Sequence, residues 1–320
     1  MNVKTASSVP SDHAGAGDWL LIVLPGLIWG ASFLFIAEGL HALAPNGVTF
    51  TRILVGFLTL SLFPAARRPL ARGADGRSAW PAVALLGVLW MAFPLSLFPF
   101  AEQRVSSALT GMLNGMVPLL ATAVAAGLAR RAPSRGVLVG LAVGLGGGVL
   151  MALPSLHEGG NSLDGVLMIL TAVVSYGFAL NLARPLQQQQ GALPVLWRAL
   201  AVALVLTAPL GLPELLRAHW TPVPLFSMLA LGMFGTGIAF VLTTTAAGKL
   251  GATRASTTTF LMPPIALLLG VVVRHESVAW ISVGGGLLCV AGAWLIRAAQ
   301  LRPVAAPAMV ADWRASRPAA

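Results

Sequence analysis

The chain has 320 residues, of which 57% are apolar and only 9% charged, with a formal net charge of +10. Soluble domains carry about 25% charged residues, so this composition argues against a soluble enzyme, a disordered chain or a nucleic-acid-binding domain. A single cysteine, Cys289, allows no intramolecular disulfide and no Cys/His metal motif.

Residues 1–18 are small and polar and lack the apolar core of a signal peptide. Apolar segments follow at 19–37, 47–64, 80–99, 105–128, 136–153, 164–182, 194–212, 224–245, 254–273 and 280–297. Each is near the roughly 20 residues that a membrane helix takes. They are too long, and alternate too little, for β-barrel strands of about 10 residues. Pro45-Asn46-Gly47 closes the first turn, Pro154 ends the fifth span, and Gln187 to Gln190 reads as a polar linker. The Ala-, Pro- and Arg-rich stretch 298–320 reads as a disordered tail. The expectation is an all-α membrane protein of ten transmembrane helices. Five lie in 19–153 and five in 154–297, between tails at 1–18 and 298–320.

The basic residues sort by loop. One side holds Lys4, Arg67, Arg68, Arg72, Arg77, Arg130, Arg131, Arg135, Arg184, Lys249, Arg254, Arg297, Arg302, Arg314 and Arg317, which is 15. The other holds Arg104, Arg217 and Arg274, and Arg52 and Arg198 lie inside spans. By the positive-inside rule this bias places both termini in the cytoplasm, in a multi-pass inner-membrane protein. The positive charge is thus an orientation signal that also suits contact with membrane lipid, and nucleic acid is not needed to explain it.

The two halves match at a shift of about 146 residues: Arg52 with Arg198, Pro118 with Pro264, Gly140 with Gly286. Trp29-Gly30 matches Tyr176-Gly177 with a one-residue slip. Five spans per half make the second half enter the membrane from the opposite side. That is an inverted repeat, an architecture of secondary transporters.

Pro25-Gly-Leu-Ile-Trp-Gly-Ala-Ser32, Thr51-Arg52, Ser107-Ala-Leu-Thr110 with Val117-Pro118, Ala255 to Pro264, and His275-Glu276 mark corresponding places in the halves. Together they resemble the EamA-like branch of the drug/metabolite transporter superfamily over about residues 19–297. The resemblance implies a secondary transporter, commonly an exporter, of small organic metabolites, amino acids or drugs, with no cofactor. Two departures stand out. The first span holds no carboxylate, with Glu38 only at its edge, and the last loop reads Arg274-His275-Glu276. With no acid deep in any span, a conventional Asp/Glu proton relay is not expected.

Polar groups in lipid are costly, so they line a cavity or are buried in protein. Arg52 and Arg198 are read about six residues from the outer ends of their spans. They are either anion contacts or snorkelling side chains. Asn114 and Thr110 share a face of the fourth span, and Thr258 lies at the matching level of the ninth. Trp29, Ser32, Tyr176 and Asn181 occupy matching faces of spans one and six, and Trp90 adds an aromatic from span three. These are the candidate substrate contacts. Pro118 and Pro264 are candidate gating kinks. Gly136, Gly140, Gly144 and Gly148 form a strip for helix packing within the bundle or for a homodimer seam. No HExxH, GxSG or GxGD signature supports the alternative of an intramembrane enzyme, and no soluble domain supports a scaffold. No catalytic or metal-binding residue is expected.

Overall fold

The computed structural model describes residues 16–71, 78–130, 132–156, 160–250 and 256–301. Of the two expected tails, 16–18 and 298–301 continue helices, and the rest lies outside the described residues.

Ten helical spans run in order among the described residues. They are α1 (Ala16–Gly39), α2 (Pro45–Ser61), α3 (Trp80–Glu102), α4 (Ser107–Ala129), α5 (Arg135–Ala152), α6 (Gly160–Gln190), α7 (Ala192–Leu216), α8 (Pro222–Ala246), α9 (Thr258–Arg274) and α10 (Trp280–Leu301). Eight are long and apolar enough to cross a membrane, and α9 is a shorter apolar helix. No strand occurs among the described residues. Prolines at the first turns of α2, α3 and α8 start helices where their missing N–H costs nothing. The Ser106 side chain caps α4 by accepting from the Leu109 N–H. The glutamine run is not a linker. Gln187 to Gln190 completes the last turn of α6, and Gly191, at φ 84°, makes the break to α7.

The packing repeats when each helix is exchanged for the one five places along. α2 lies on α7, α4 on α9 and α5 on α10. α1 lies against α8 and α9, as α6 lies against α3 and α4. Local irregularities obey the same exchange. α3 widens to a π-helical turn at Gly87–Ala92, and α8 does so at Leu231–Ile238. α4 breaks between Asn114 and Val117, and α9 begins in a 3-10 stretch ending at Leu261. α4 and α9 both end on a left-handed residue, Arg130 and His275. The protein is therefore two inverted five-helix repeats about a pseudo-twofold axis. One face of the bundle carries the start of α1 and the end of α10 (the terminal face); the other is the far face.

Glycine sets the closest crossing, between α5 and α10. A Cβ on Gly147 would sit 2.5 Å from the Gly285 carbonyl oxygen, and one on Gly285 would sit 2.5 Å from that of Gly147. Gly140 faces Gly292 and Ile296, while Gly144 and Gly148 receive Leu119 and Met116 of α4. The glycine strip is thus filled inside the bundle. Gly146, on the same helix, faces open space. Gly147→Ala is expected to lower the thermal unfolding midpoint, since overpacking costs about 1–3 kcal/mol. Gly146→Ala leaves the midpoint level or raises it. Equal midpoints for the two variants would show that the α5–α10 crossing is looser than described.

Candidate functional site

The π-helical turn of α8 joins three elements at the centre. Its Gly235 carbonyl accepts from Trp29 Nε1 of α1 at 2.9 Å. Its Thr236 hydroxyl accepts from Arg52 Nε of α2 at 3.3 Å. Ser32 packs against Gly235, where a Cβ would lie 2.9 Å from Ser32 Oγ. A π turn displaces carbonyls from regular helix bonding, which is why Gly235 has one free for the indole. Gly232 lets α2 come close, since a Cβ there would be 2.4 Å from Val55 Cβ.

Aromatic rings extend from this junction in two groups. Trp29 and Trp90 each meet Phe240 edge-on at 5.4 Å. Phe33 meets Phe98 at 5.8 Å, and Phe98 meets Tyr176 at 6.0 Å. Trp29 and Phe33 are four residues apart and share a face of α1. The rings therefore form one aromatic cluster contributed by α1, α3, α6 and α8. Edge-on ring pairs of this kind suit an apolar or cationic group.

Arg52 and Asn114 are among the poorly satisfied polar groups of the bundle. Arg52 is 6% exposed, and the Thr236 bond is its one hydrogen bond among the described residues. A guanidinium has five N–H donors, so its terminal nitrogens keep capacity for an anion. Tyr176 and Glu102 are the ionisable groups that bear on it. Asn114, 6% exposed, ends the first half of the broken α4, and its Oδ1 is buried without a partner.

The remaining sequence candidates are engaged in structure. Thr110 is fully buried and donates to the Ser106 carbonyl at 3.0 Å. Asn181 Nδ2 donates to the carbonyls of Ala121 at 2.9 Å and Gly177 at 2.8 Å, tying α6 to α4. Thr258 donates to the Ile22 carbonyl at 3.0 Å, tying α9 to α1. Ser32 bonds back to Ile28 at 3.0 Å. Pro118 and Pro264 open the regular parts of α4 and α9 just after the breaks. Arg198 is not at the same end as Arg52. It lies near the start of α7 at the terminal face, donating to the Pro194 carbonyl at 3.1 Å and lying 5.4 Å from the Trp197 ring. Inversion requires this, since matched residues of inverted halves occupy opposite ends.

The far face holds contacts that the sequence reading missed. Glu276 accepts from the Ser107 N–H at 3.1 Å, the Ser107 hydroxyl at 2.8 Å and the Ala108 N–H at 2.9 Å. Glu214 accepts from the Gly47 N–H and from Asn46 Nδ2. Arg274 bonds both Glu38 and Glu276. Neither α2 nor α4 has an acid in its own first turn, so carboxylates of the other repeat supply the anion that a helix start favours. A sequence signal existed in helix starts lacking acids, but the pairing needed the fold. The third missed acid is Glu102. α3 continues past the expected end at 99, and both Glu102 carboxylate oxygens are buried without a hydrogen-bond partner. The expectation that the bundle lacks a buried acid is therefore corrected. The helix runs one turn further than its apolar stretch and carries the carboxyl in.

Asn181→Ala breaks one bond between α6 and α4 and one within α6, and a fall in thermal stability of about 1 kcal/mol is expected. Asn114→Ala removes an amide whose oxygen has no partner and leaves stability near that of the wild type. Thermal unfolding in detergent compares the two, and a larger loss for Asn114→Ala would make that residue structural.

The family model described as the EamA-like transporter family matches twice, over residues 18–153 and 163–298. A protein of Streptantibioticus cattleyicolor named a probable terminal-alkyne amino-acid exporter is 26% identical over 283 residues, covering 87% of this chain and 92% of its own. An uncharacterised transporter of Bacillus subtilis is 32% identical over 223 residues, covering 66% of this chain and 74% of its own. A solved crystal structure, 18% identical, aligns at a TM-score of 0.57 over 95% of this chain and 100% of the other, and supports the fold. With both of its halves matched and ten helices in two inverted repeats, the chain belongs to the EamA-like transporter family.

Proposed function

We propose that the protein exports small organic solutes bearing a carboxylate, amino acids or related compounds, across the inner membrane by alternating access. The observation that carries this reading is Arg52, a buried cation with unused donors beside the aromatic cluster. A carboxylate on Arg52 gains charge-assisted, bidentate bonding. Trp29, Trp90, Phe240 and Tyr176 offer the solute's side chain an apolar wall, and Asn114 Oδ1 offers an acceptor to an ammonium or hydroxyl. The named amino-acid exporter among the relatives supports the same substrate class. The loop charge bias supports cytoplasmic termini. The broken helices α4 and α9, packed on each other, supply the discontinuity that rocking repeats use.

The test is solute flux in proteoliposomes loaded with amino acids. Wild-type protein is expected to carry at least one. Arg52→Ala weakens it tenfold or more, as losing a charged hydrogen bond of about 1.5–3 kcal/mol requires. Arg52→Lys falls between, because an ammonium keeps the charge without the fork. Absence of flux for amino acids, nucleosides, sugars and cationic dyes would overturn the transport reading. Full flux in Arg52→Ala would overturn the site.

A further inference from the structure

The geometry points to a binding site for an anionic phospholipid at the terminal face, where Arg198 takes the lipid's phosphate between α7, the start of α3 and the α2–α3 connection.

The repeat matches Arg198 with Arg52, but their surroundings differ. Arg52 meets the π turn of α8. Arg198 turns instead toward the terminal face, where its Nη1 donates to the carbonyls of Pro194 at 3.1 Å and Ala66 at 3.5 Å. Its guanidinium carbon lies 5.4 Å from the Trp197 ring and 6.0 Å from the Trp80 ring. Rings hold a guanidinium at this distance without using its N–H donors. Nε and Nη2 make no hydrogen bond among the described residues, out of the five N–H donors an arginine has. The residue keeps 8% exposure, so the pocket around it is not sealed.

No described acid supplies the missing partner. Glu38, Glu102 and Glu214 lie toward the ends of α1, α3 and α7, Asp164 near the start of α6, and Glu276 just before α10. All five are therefore toward the far face.

The surroundings divide as a phospholipid divides. Ala66 is followed by Arg67 and Arg68, both exposed. The connection that carries them is fixed at two points. Arg198 holds Ala66, and the Ala71 N–H and carbonyl bond the Gln190 side chain at 2.7 and 3.0 Å. Beside this basic group Trp80 is half exposed and Leu62 largely exposed. Guanidinium groups bind phosphate oxygens bidentately, and an exposed tryptophan suits the membrane interface, where acyl chains begin. A small anion from water uses the charge alone and leaves the apolar surface of Trp80 and Leu62 unused.

The experiment titrates purified protein in detergent with phosphatidylglycerol, with zwitterionic phosphatidylcholine and with inorganic phosphate. Bound lipid is counted by native mass spectrometry, and the unfolding midpoint is followed. Phosphatidylglycerol is expected to bind and to raise the midpoint, and the other two to leave it unchanged. Arg198→Gln weakens binding of phosphatidylglycerol tenfold or more, and Arg198→Lys falls between, since an ammonium keeps the charge without the fork. Arg198 also bonds Ala66, so a second pair of variants decides the matter if Arg198→Gln fails to fold. Arg67→Gln with Arg68→Gln is expected to lose several-fold in affinity. Arg130→Gln with Arg135→Gln removes the same charge from exposed residues elsewhere on this face and is expected to lose less than twofold. Equal losses in the two double variants would show a diffuse attraction and overturn the site. So would wild-type affinity in a folded Arg198→Gln, or phosphatidylcholine binding as well as phosphatidylglycerol. A midpoint raised equally by inorganic phosphate would make this a small-anion site and overturn the lipid.

Discussion

Lipid offers no hydrogen bonds, so every polar group at membrane depth must be satisfied by the protein itself. The rest of the structure depends on this constraint. Regular helices meet it internally, and several departures from regularity find a specific partner. The π turn of α8 gives the Gly235 carbonyl to Trp29 and the Thr236 hydroxyl to Arg52. Beyond the break in α4, the Ala121 carbonyl accepts from Asn181 of α6. The open helix starts of α2 and α4 are capped by Glu214 and Glu276 from the opposite repeat. Satisfaction therefore comes across the repeats, so the polar contacts that stabilise the bundle are also those a rocking motion must exchange.

Against that background, a few groups among the described residues are left out. Arg52 has donors to spare, and Thr51 Oγ1, Asn114 Oδ1, Gln187 Nε2 and the Glu102 carboxylate have no partner. Leaving such groups unmet in a bundle costs about 1–3 kcal/mol each, more when charged. The role proposed for Arg52 and Asn114 uses two of these unmet groups. The aromatic cluster of Trp29, Trp90, Phe240, Phe98 and Tyr176 is the apolar wall of the proposed site.

The architecture was legible because it rests on period and repetition. Ten apolar segments, the shift of about 146 residues and the odd number of spans per half fix two inverted repeats. Ends of elements were less legible. Glu102 looked extramembrane because hydropathy falls at Ala101-Glu102-Gln103, yet α3 carries its helix through that point. The glutamine run looked like a linker because it is polar, but glutamine is a good helix former and the break falls at Gly191. Trp29 and Asn114 were picked by depth alone, and they sit at the α8 π turn and at the α4 break with an unpartnered oxygen, whereas Thr110, Asn181 and Thr258 bond within the bundle. Depth identifies buried polar groups. Only the partner list separates those that hold helices together from those left free. The opposite placement of Arg198 follows from inversion itself.

The claim at the centre is that the two halves alternate about this buried junction. Cys289 is the only cysteine, so a Cys289→Ala background permits single thiols to be placed at will. Trp29→Cys and Asn114→Cys, in vesicles of known orientation, are treated with a membrane-impermeant thiol reagent from one side or the other. Alternation about the junction requires both positions to label from either side, and saturating transported solute to slow that labelling. Labelling from one side only, unchanged by solute, would contradict it.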